Sequence, residues 1–380
     1  MLRKTFKIDW HGNVGRINTG IQQPACRADG KLVFAGDIAL ARGVGKAIDN
    51  TSPDAILSNV SNQLFDSSDY FIFNLECCIT DRGNTWEPNK RSPMVGKPRY
   101  LEIFPSEYRG YIANLSNNHL LDLGIVGASD TVEALENRDI EYFGVKQFNK
   151  NKISTVYVKD TSIAFVAFSP AAHPIPEDNA PINVYTGKTD QFERDVKKAC
   201  MEHDLTIVNL HQGIEYSPFI MRSARLLARK AIDLGAHCVI CHHAHVIQGI
   251  EMYERRMIFH GIGNFLIDVN FNKHPLARYS LVPYIFIQDK KIQHIEIQAF
   301  KIQNDLSIDL LTSVELETVK RMIEIRSRFV SSTMGCLMND VIAGVYRLKD
   351  RSRAAVKMFR RKGVKLTFAY YFNRLFRSRH

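Results

Sequence analysis

The sequence contains no long hydrophobic run. No stretch of the 380 residues approaches the roughly 20 consecutive apolar residues that a membrane-spanning helix requires. Residues 1–13 include basic side chains but lack the apolar segment of a secretory signal. Internal repeats and low-complexity segments are also missing. These absences predict a globular protein that resides in the cytoplasm.

A disulfide framework is not expected either. The seven cysteines are odd in number, and most lie inside apolar, strand-like segments, which is typical of buried, reduced thiols. Cys238, Cys241 and His242 form the Cys-x-x-Cys-His pattern of haem attachment. That motif lies within a predicted buried strand, so we do not expect haem here.

Excess positive charge is confined to the C-terminus. Residues 341–380 contain twelve Lys and Arg against one acidic residue, whereas the first 340 residues contain 38 basic and 39 acidic side chains. Aromatic and aliphatic residues alternate with the basic ones in this tail. Two interpretations remain open: a peripheral contact with the inner face of the plasma membrane, or a solvated basic helix packed on the domain. Nucleic-acid binding is not favoured, because no recognised binding module accompanies the charge.

Strands that alternate with helices predict an α/β domain with a parallel-rich sheet, to which later strand pairs add antiparallel strands. We expect an irregular leader (1–30), this α/β domain (31–300), a helical extension (301–340) and a basic amphipathic tail (341–380). Within the domain, a long loop is predicted at 81–99 and helices at 53–66, 125–138, 190–203 and 220–235.

Six short polar motifs each follow a predicted strand. They are Gly36-Asp37, Asn74-Leu75-Glu76, Asn117-Asn118-His119, the segment 211–215, the segment 242–245 and Gly263-Asn264. Ligands of open α/β sheets bind outside the carboxyl ends of the strands. Carboxylates, amides and imidazoles are donors that suit Zn, Mn or Fe. The series therefore predicts one assembled metal site.

Several motifs have a second interpretation when taken singly. A strand that ends in Gly-Asp is common, so Asp37 alone is weak evidence, and Asn118-His119 could cap the helix at 125–138. His211 could be a hydrogen-bonded core residue. Glu76 is more informative, because an acid that closes a fully apolar strand either faces a cleft or costs desolvation energy.

The segment 242–245 carries three histidines. His243 and His245 are two residues apart and lie on one side of an extended segment, which favours metal ligands. His242 points the other way and is not expected to take part.

Taken together, the motifs resemble the CapA-type poly-γ-glutamate capsule-synthesis proteins, a branch of the calcineurin-like metallophosphoesterase superfamily. The resemblance covers about residues 31–270 and is carried by GDIALARG, NLECCIT, LSNNHLLDLGIVGASDTVEALENRDIEYFGV, NLHQGIEY, HHAHVIQGIEMYERRMI and GIGNFLID. It implies a four-layer αββα sandwich of mixed sheets, followed by C-terminal helices. It also implies a metal-dependent hydrolase, cleaving a phosphoester or an amide or ester, in capsule or envelope-polymer biosynthesis. The alternative is a non-catalytic assembly or binding component of a capsule-polymer machine.

The resemblance further implies a site with two divalent metal ions (Mn, Zn or Fe) that acts on an anionic polymer or a small phosphorylated or amide substrate. Its residues would be Asp37 and His245 on one metal, Asn118, His211 and His243 on the other, Glu76 as a bridging and catalytic residue, His119 as proton donor, and Arg42, Glu215 and Asn264 in substrate binding or support. Two departures matter. Ala39 stands where phosphoesterases have a ligand His, which would weaken the first metal, and Gln212 stands where the family usually has Trp.

Overall fold

The computed structural model describes residues 6–18, 28–65, 69–82, 93–108, 110–147, 150–151, 153–172, 182–184, 189–332, 334–346 and 348. In this part of the chain no helix is both long and apolar enough to cross a bilayer.

The strands are β1 (Lys7–His11), β2 (Val14–Asn18), β3 (Gly30–Ile38), β4 (Tyr70–Leu75), β5 (Cys78–Ile79), β6 (Val95–Gly96), β7 (Tyr111–Asn114), β8 (Glu141–Phe143), β9 (Val145–Gln147), β10 (Lys150–Asn151), β11 (Ser154–Val158), β12 (Thr161–Phe168), β13 (Ile182–Val184), β14 (Leu205–His211), β15 (Cys238–His242), β16 (Ile250–Tyr253), β17 (Arg256–Phe259), β18 (Asn264–Leu266), β19 (Tyr279–Gln288), β20 (Lys291–Ile302) and β21 (Ile308–Leu310). The helices are α1 (Arg42–Asn50), α2 (Ser61–Phe65), α3 (Gly124–Glu136), α4 (Thr189–Glu202), α5 (Arg222–Asp233) and α6 (Ser313–Ser331), with 3-10 helices at Pro53–Ile56, Pro98–Ile103 and Pro275–Arg278. Residues 334–346 are also helical.

Two mixed sheets form the centre of the molecule. The first has the strand order β1-β2-β20-β19-β3-β4-β7-β8, with β18 added beside β3 and β21 beside β20. Its strands β3, β4, β7 and β8 run parallel, and β19 and β20 continue it in antiparallel orientation. The second sheet has the order β11-β12-β14-β15-β17-β16, with four parallel strands between two antiparallel edges.

Helices cover the outer face of each sheet. Val44 of α1 and Leu135 of α3 belong to the apolar core on the outer side of the first sheet. Phe192 of α4 belongs to the core outside the second sheet. Between the sheets, side chains such as Phe34 and Ile240 share a third core. The predicted four-layer αββα sandwich is therefore confirmed, and the later strand pairs add antiparallel strands as expected.

Helix α6 has a well-defined start. The Thr312 side chain accepts from the Glu315 backbone N–H, and the Glu315 carboxylate accepts from the Thr312 N–H at 3.1 Å, which forms a capping box. Its apolar stripe, Leu316, Val319 and Ile323, joins the core between the sheets. The C-terminal extension is thus packed into the sandwich.

Residues 7–18 form regular strands, contrary to the prediction of an irregular leader over 1–30. β1 and β2 form a hairpin that pairs with β20 and extends the first sheet. Its two-residue turn is Gly12-Asn13, with Gly12 at φ 58°. A Gly-Asn pair suits such a turn, because it tolerates the positive φ that this hairpin geometry needs. The short strands gave too weak a periodic pattern to be seen.

Two helix assignments also differ. The predicted helix at 53–66 is a 3-10 turn followed by the short α2, and α1 was not predicted at all. Part of the predicted loop at 81–99 forms β6, which pairs with β5, while 83–92 lie outside the described residues. The tail beyond 348 also lies outside them, so its amphipathic character stays a prediction.

The strand register brings the polar motifs together. Asp37 is paired with Asn74 on β4 and with Asn264 on β18, while His211 is paired with His242 across the second sheet. A side chain at Gly36 would meet the Gly263 carbonyl oxygen at 2.0 Å, so this close approach requires glycine. The carboxyl ends of both sheets therefore meet at one edge.

Candidate metal centre

Five buried side chains form two groups of metal-ligand type. One group is Asp37, Glu76 and His245, and the other is Glu76, His211 and His243. Within each group the donor atoms lie within 4.8 Å of one another. Glu76 belongs to both groups, which is the arrangement of a bridging carboxylate. Each donor comes from the end of a strand or the residues just after it.

Asn118 adds an oxygen to the second group. Its Oδ1 lies 2.7 Å from Nε2 of His211, and the same nitrogen lies 3.5 Å from Oε1 of Glu76. The rings of His211 and His243 are 4.7 Å apart between centroids. The second group therefore contains two imidazoles, an amide oxygen and a carboxylate, a donor set that suits a divalent transition metal.

Three buried donor atoms support the presence of cations here. Among the described residues, both carboxylate oxygens of Glu76 and Nδ1 of His243 are buried without a hydrogen-bond partner. A buried carboxylate that accepts no hydrogen bond is unfavourable. A divalent ion beside each oxygen would remove that penalty. The residues present thus fit a dinuclear centre.

Two of the imidazoles are in the form that binds metal, whereas Glu76 and His245 hold protons that a metal would displace. Burial lowers the pKa of His243 to about 3 and holds the pKa of His211 well below its usual value. Both imidazoles are therefore neutral, the form that binds metal. Burial, reinforced by the charge of Asp37, raises the pKa of Glu76 to about 8. Burial opposes protonation of His245, but the Glu76 and Asp37 carboxylates outweigh it and raise the pKa of His245 to about 10.

A network of donors fixes the Asp37 carboxylate. Nδ2 of Asn74 donates to Oδ1 at 2.8 Å, and the backbone N–H of His243 donates to Oδ2 at 3.3 Å. Burial alone would raise the pKa of Asp37, but contacts with His242 and His245 hold it well below its usual range. Asn74 was part of a recognised motif, yet its role as the central support of Asp37 was not foreseen.

His242 is not outside the site, contrary to the sequence prediction. Its Nδ1 lies 3.3 Å from Oδ1 of Asp37, and the side chain is only 2% exposed. The reason is alternation along β15: Ile240 belongs to the core between the sheets, and His242, two residues later, faces the same side. The tight turn after β15 then brings His243 and His245 to the same centre, both at positive φ.

Asn264 positions His245. Its Oδ1 lies 2.8 Å from Nδ1 of His245, and its Nδ2 donates to the backbone carbonyls of His245 and Ala277 at 3.3 and 2.9 Å. Asn264 is fully buried, which favours its predicted function as a support over a direct contact with substrate.

His119 forms a dyad with an acid that the sequence analysis did not single out. Nδ1 of His119 lies 2.8 Å from Oδ2 of Asp122, and Nε2 lies 4.0 Å from Oε1 of Glu76. Asp122 is buried and also accepts from the Met94 backbone N–H at 2.6 Å. The His119 side chain is 21% exposed, so it can reach both the centre and an incoming molecule. The only sequence signal for Asp122 was its position three residues after His119 in NNHLLD.

The rim of the centre contains the remaining predicted residues. Arg42 and Glu215 are exposed, and Arg42 begins α1 at φ 55°. Tyr216, at φ 60°, stacks on His274 with ring centroids 3.7 Å apart and lies 5.5 Å from His245. Positive φ at non-glycine residues costs free energy and is concentrated at functional sites. Substrate contacts of Arg42 and Glu215 stay predictions.

Ala39 is the one position where a ligand is expected and none is present. The residue is buried just after β3, and its N–H donates to the Leu266 carbonyl at 2.8 Å. Its methyl group offers no donor. The first group therefore has three ligand-type side chains, and the second has four.

Comparison with known proteins identifies the family. The model of the family described as bacterial capsule synthesis protein PGA_cap matches residues 31–269. The chain is 26% identical over 303 residues to the capsule biosynthesis protein CapA of Bacillus anthracis, covering 77% of this chain and 72% of that protein. It is 29% identical over 245 residues to the PGA biosynthesis protein CapA of Bacillus subtilis (strain 168), covering 63% and 64%. A crystal structure of a hypothetical protein from Thermus thermophilus has a TM-score of 0.43 at 15% identity, covering 71% of this chain and 99% of that one. Because the family match spans more than half of the sequence, this chain belongs to the PGA_cap family of CapA-type bacterial capsule-synthesis proteins.

Proposed function

We propose that this protein is a metal-dependent hydrolase with a dinuclear centre, acting in the biosynthesis of a capsule or envelope polymer. The observation that carries the proposal is Glu76, a fully buried carboxylate shared by two groups of ligands and without a hydrogen-bond partner among the described residues. Bound cations would compensate the cost of burying such a group, which supports a metal centre at this position. The names of the relatives point to capsule and PGA synthesis as the setting.

The ligand assignment follows from the two groups. Asp37 and His245 would hold one metal, Asn118, His211 and His243 the other, and Glu76 both. Divalent cations held by these residues would make a water more acidic and would neutralise charge that develops on the substrate. Mn, Zn and Fe all suit this set of oxygen and nitrogen donors.

The proton chemistry belongs to the His119–Asp122 dyad. Asp122 accepts a hydrogen bond from Nδ1–H of His119, which fixes the ring and stabilises the imidazolium. The proton at Nε2 then points towards the centre and can pass to a leaving group. His119 is the catalytic residue in this scheme, and Asp122 is a positioning residue.

The substrate class is an anionic polymer, or a small phosphorylated or amide compound. Arg42 at the rim supplies the positive charge that such a substrate would meet. Both a phosphoester and an amide carry an oxygen that the metals could polarise, so the ligands suit either. Cleavage of a generic phosphodiester should be compared with cleavage of a γ-glutamyl amide by the metal-analysed protein.

A non-catalytic assembly component is the second candidate, and Ala39 is the observation that favours it. With one ligand fewer, the first metal would be held weakly. Metal content by mass spectrometry and turnover of both substrates decide between the two candidates. Metal below one equivalent per chain, together with unimpaired capsule formation in Asn118→Ala and His243→Ala strains, would exclude the enzyme.

We further propose that the basic tail, 341–380, makes a peripheral contact with an anionic membrane, placing the protein at the inner face of the plasma membrane. Its twelve Lys and Arg against one acidic residue support this. Removal of the tail should release the protein from anionic liposomes while metal content stays the same. Unchanged liposome binding would refute the contact.

A further inference from the structure

The 334–346 helix exposes a continuous apolar face. Its exposed side chains recur at intervals of three and four residues and continue to 348, so they lie on one side of the helix. We call this face the outer stripe; it consists of Met334, Leu337, Met338, Val341, Val345 and Leu348, which are 47% to 68% exposed. Soluble proteins rarely expose contiguous apolar surface without a binding function.

The opposite face fixes the orientation of this helix. Cys336, Asn339 and Ala343 are buried against the domain. Oδ1 of Asn339 accepts from the Ile220 backbone N–H at 3.0 Å, and its Nδ2 donates to the Ile220 carbonyl. The helix therefore cannot rotate to bury the stripe without breaking both hydrogen bonds. The stripe faces outward as a property of the fold.

The charges around the stripe indicate what covers it. The single charged residue within 334–346 is Asp340, and its carboxylate lies 3.2 Å from the guanidinium of Arg225. Residues 347–380 then carry twelve Lys and Arg against one acidic residue. An apolar face followed directly by a strongly basic segment complements an anionic lipid surface, where side chains enter the acyl boundary and cations meet the headgroups. A second copy of this chain would add another basic tail and so lacks the negative charge that complements the first.

We propose that the outer stripe inserts into the interfacial region of an anionic phospholipid membrane. This inference rests on the proposed membrane contact of the tail and adds the residues that enter the lipid. The basic segment supplies long-range attraction, and the stripe supplies apolar burial that salt does not screen. Binding should therefore survive, in reduced form, at high salt.

The experiment uses the full-length protein with vesicles of phosphatidylcholine alone or mixed with phosphatidylglycerol. The variant Leu337→Gln, Val341→Gln, Val345→Gln should bind the mixed vesicles about tenfold more weakly and lose the salt-resistant fraction. A matched control replaces three exposed apolar residues elsewhere (Tyr157→Gln, Met201→Gln, Val314→Gln) and should bind like the unmodified protein. In a Val341→Trp variant, the emission that remains after subtraction of the unmodified protein, which contains Trp10 and Trp86, should shift to the blue on addition of mixed vesicles.

The outcomes separate this inference from the tail contact. A full-length variant with Gln at Arg351, Arg353, Lys357, Arg360, Arg361 and Lys362 tests the basic segment by itself. If that variant loses binding while the stripe variant binds normally, the tail contact stands and the insertion is wrong. If the unmodified protein is a dimer that the stripe substitutions convert to monomer, without a change in vesicle binding, a second copy covers the stripe and the inference is overturned. Unchanged metal content in every variant confirms that the sandwich is intact.

Discussion

Oδ2 of Asp122 lies 2.8 Å from Nδ1 of His119, on the side of the ring opposite Nε2, which lies 4.0 Å from Glu76. The Met94 N–H contacts the same oxygen, so Asp122→Asn either keeps both contacts through its carbonyl oxygen or turns its NH2 group towards both. In either orientation His119 loses the carboxylate that positions its ring and stabilises the positive charge of its protonated form. We expect kcat to fall at least about 100-fold with metal content unchanged. His119→Ala should produce a similar loss. Steady-state kinetics on the metal-loaded protein measures both, and a loss of metal in Asp122→Asn would assign Asp122 a structural role instead.

The second group of ligands should bind one of the two metal equivalents. His243→Ala removes a neutral imidazole from a group of four donors, so its metal should be lost while the other is retained. Glu76→Gln should reduce both, because Glu76 belongs to both groups. His203→Ala, which removes an imidazole just after α4 that contacts Thr155, serves as the control. Mass spectrometry of the dialysed proteins gives the ratio of metal to protein in each variant. Loss of both metal equivalents in His243→Ala would contradict the two-group assignment.

In the metal-free protein, the stability of the fold should decrease as pH rises. The folded-state pKa of Glu76, about 8, lies above its ordinary 4.5, and that of His245, about 10, lies above 6.5. The metal-free folded protein therefore binds more protons than the unfolded chain across these windows, so these groups lose their stabilising contribution as pH increases. Melting temperatures of the chelated protein between about pH 6 and about pH 9 test this. A rise in melting temperature over that range would show that other groups dominate.

Metal binding should also depend on the protons that Glu76 and His245 hold in the metal-free protein. Ligands must be deprotonated, so loading should release protons from Glu76 and His245, and the apparent metal affinity should increase with pH. Titration calorimetry in buffers of different ionisation enthalpy counts the protons released. If no protons are released at neutral pH, the result would argue against both Glu76 and His245 as metal ligands.

Asn264→Ala should weaken the first metal without affecting the second. The substitution removes the acceptor beside Nδ1 of His245 and leaves the ligands of the second group untouched. Loss of such an orienting partner typically lowers metal affinity about 10–100-fold. Competition with a chromophoric chelator measures each site. Equal weakening of both metals would show that the substitution has disturbed the whole edge of the sheets.

A buried ion pair far along the second sheet should matter for folding. Glu251 is 1% exposed, and its carboxylate lies 3.0 Å from Nε of Arg229 and 3.0 Å from Nε2 of His260. Glu251→Ala leaves the Arg229 guanidinium, whose side chain is only 12% exposed, without its carboxylate and should lower the free energy of unfolding by about 2–4 kcal/mol. The exposed pair Glu324–Arg328 on α6 provides the control, and Glu324→Ala should change it by less than about 0.5 kcal/mol. Urea titrations of the metal-loaded proteins compare the two.

Local patterns predicted the α/β domain and the donors at strand ends, because an apolar strand that closes on Glu76 or His211 is visible in the sequence itself. The four-layer sandwich was predicted from the family resemblance. The sequence could not predict His242 beside Asp37, since that contact depends on how two sheets face each other. Asp122 was missed for a similar reason: an acid in a polar turn shows its function only once the ring of His119 is placed. The hairpin at Gly12-Asn13 is different, because its turn signal was present and the short flanking strands concealed it.

The hydrogen bonds between Asn339 and Ile220 also indicate how much of the chain is needed to hold the site together. The family match ends at residue 269, yet both backbone groups of Ile220 depend on a side chain well beyond it. A chain shortened to the shared segment would leave these groups and Arg225 without their partners, next to the stretch that carries Glu215 and Tyr216. We therefore expect the smallest fragment that keeps this rim in place to extend past Asn339, which makes the C-terminal helices part of the unit that holds the candidate metal centre.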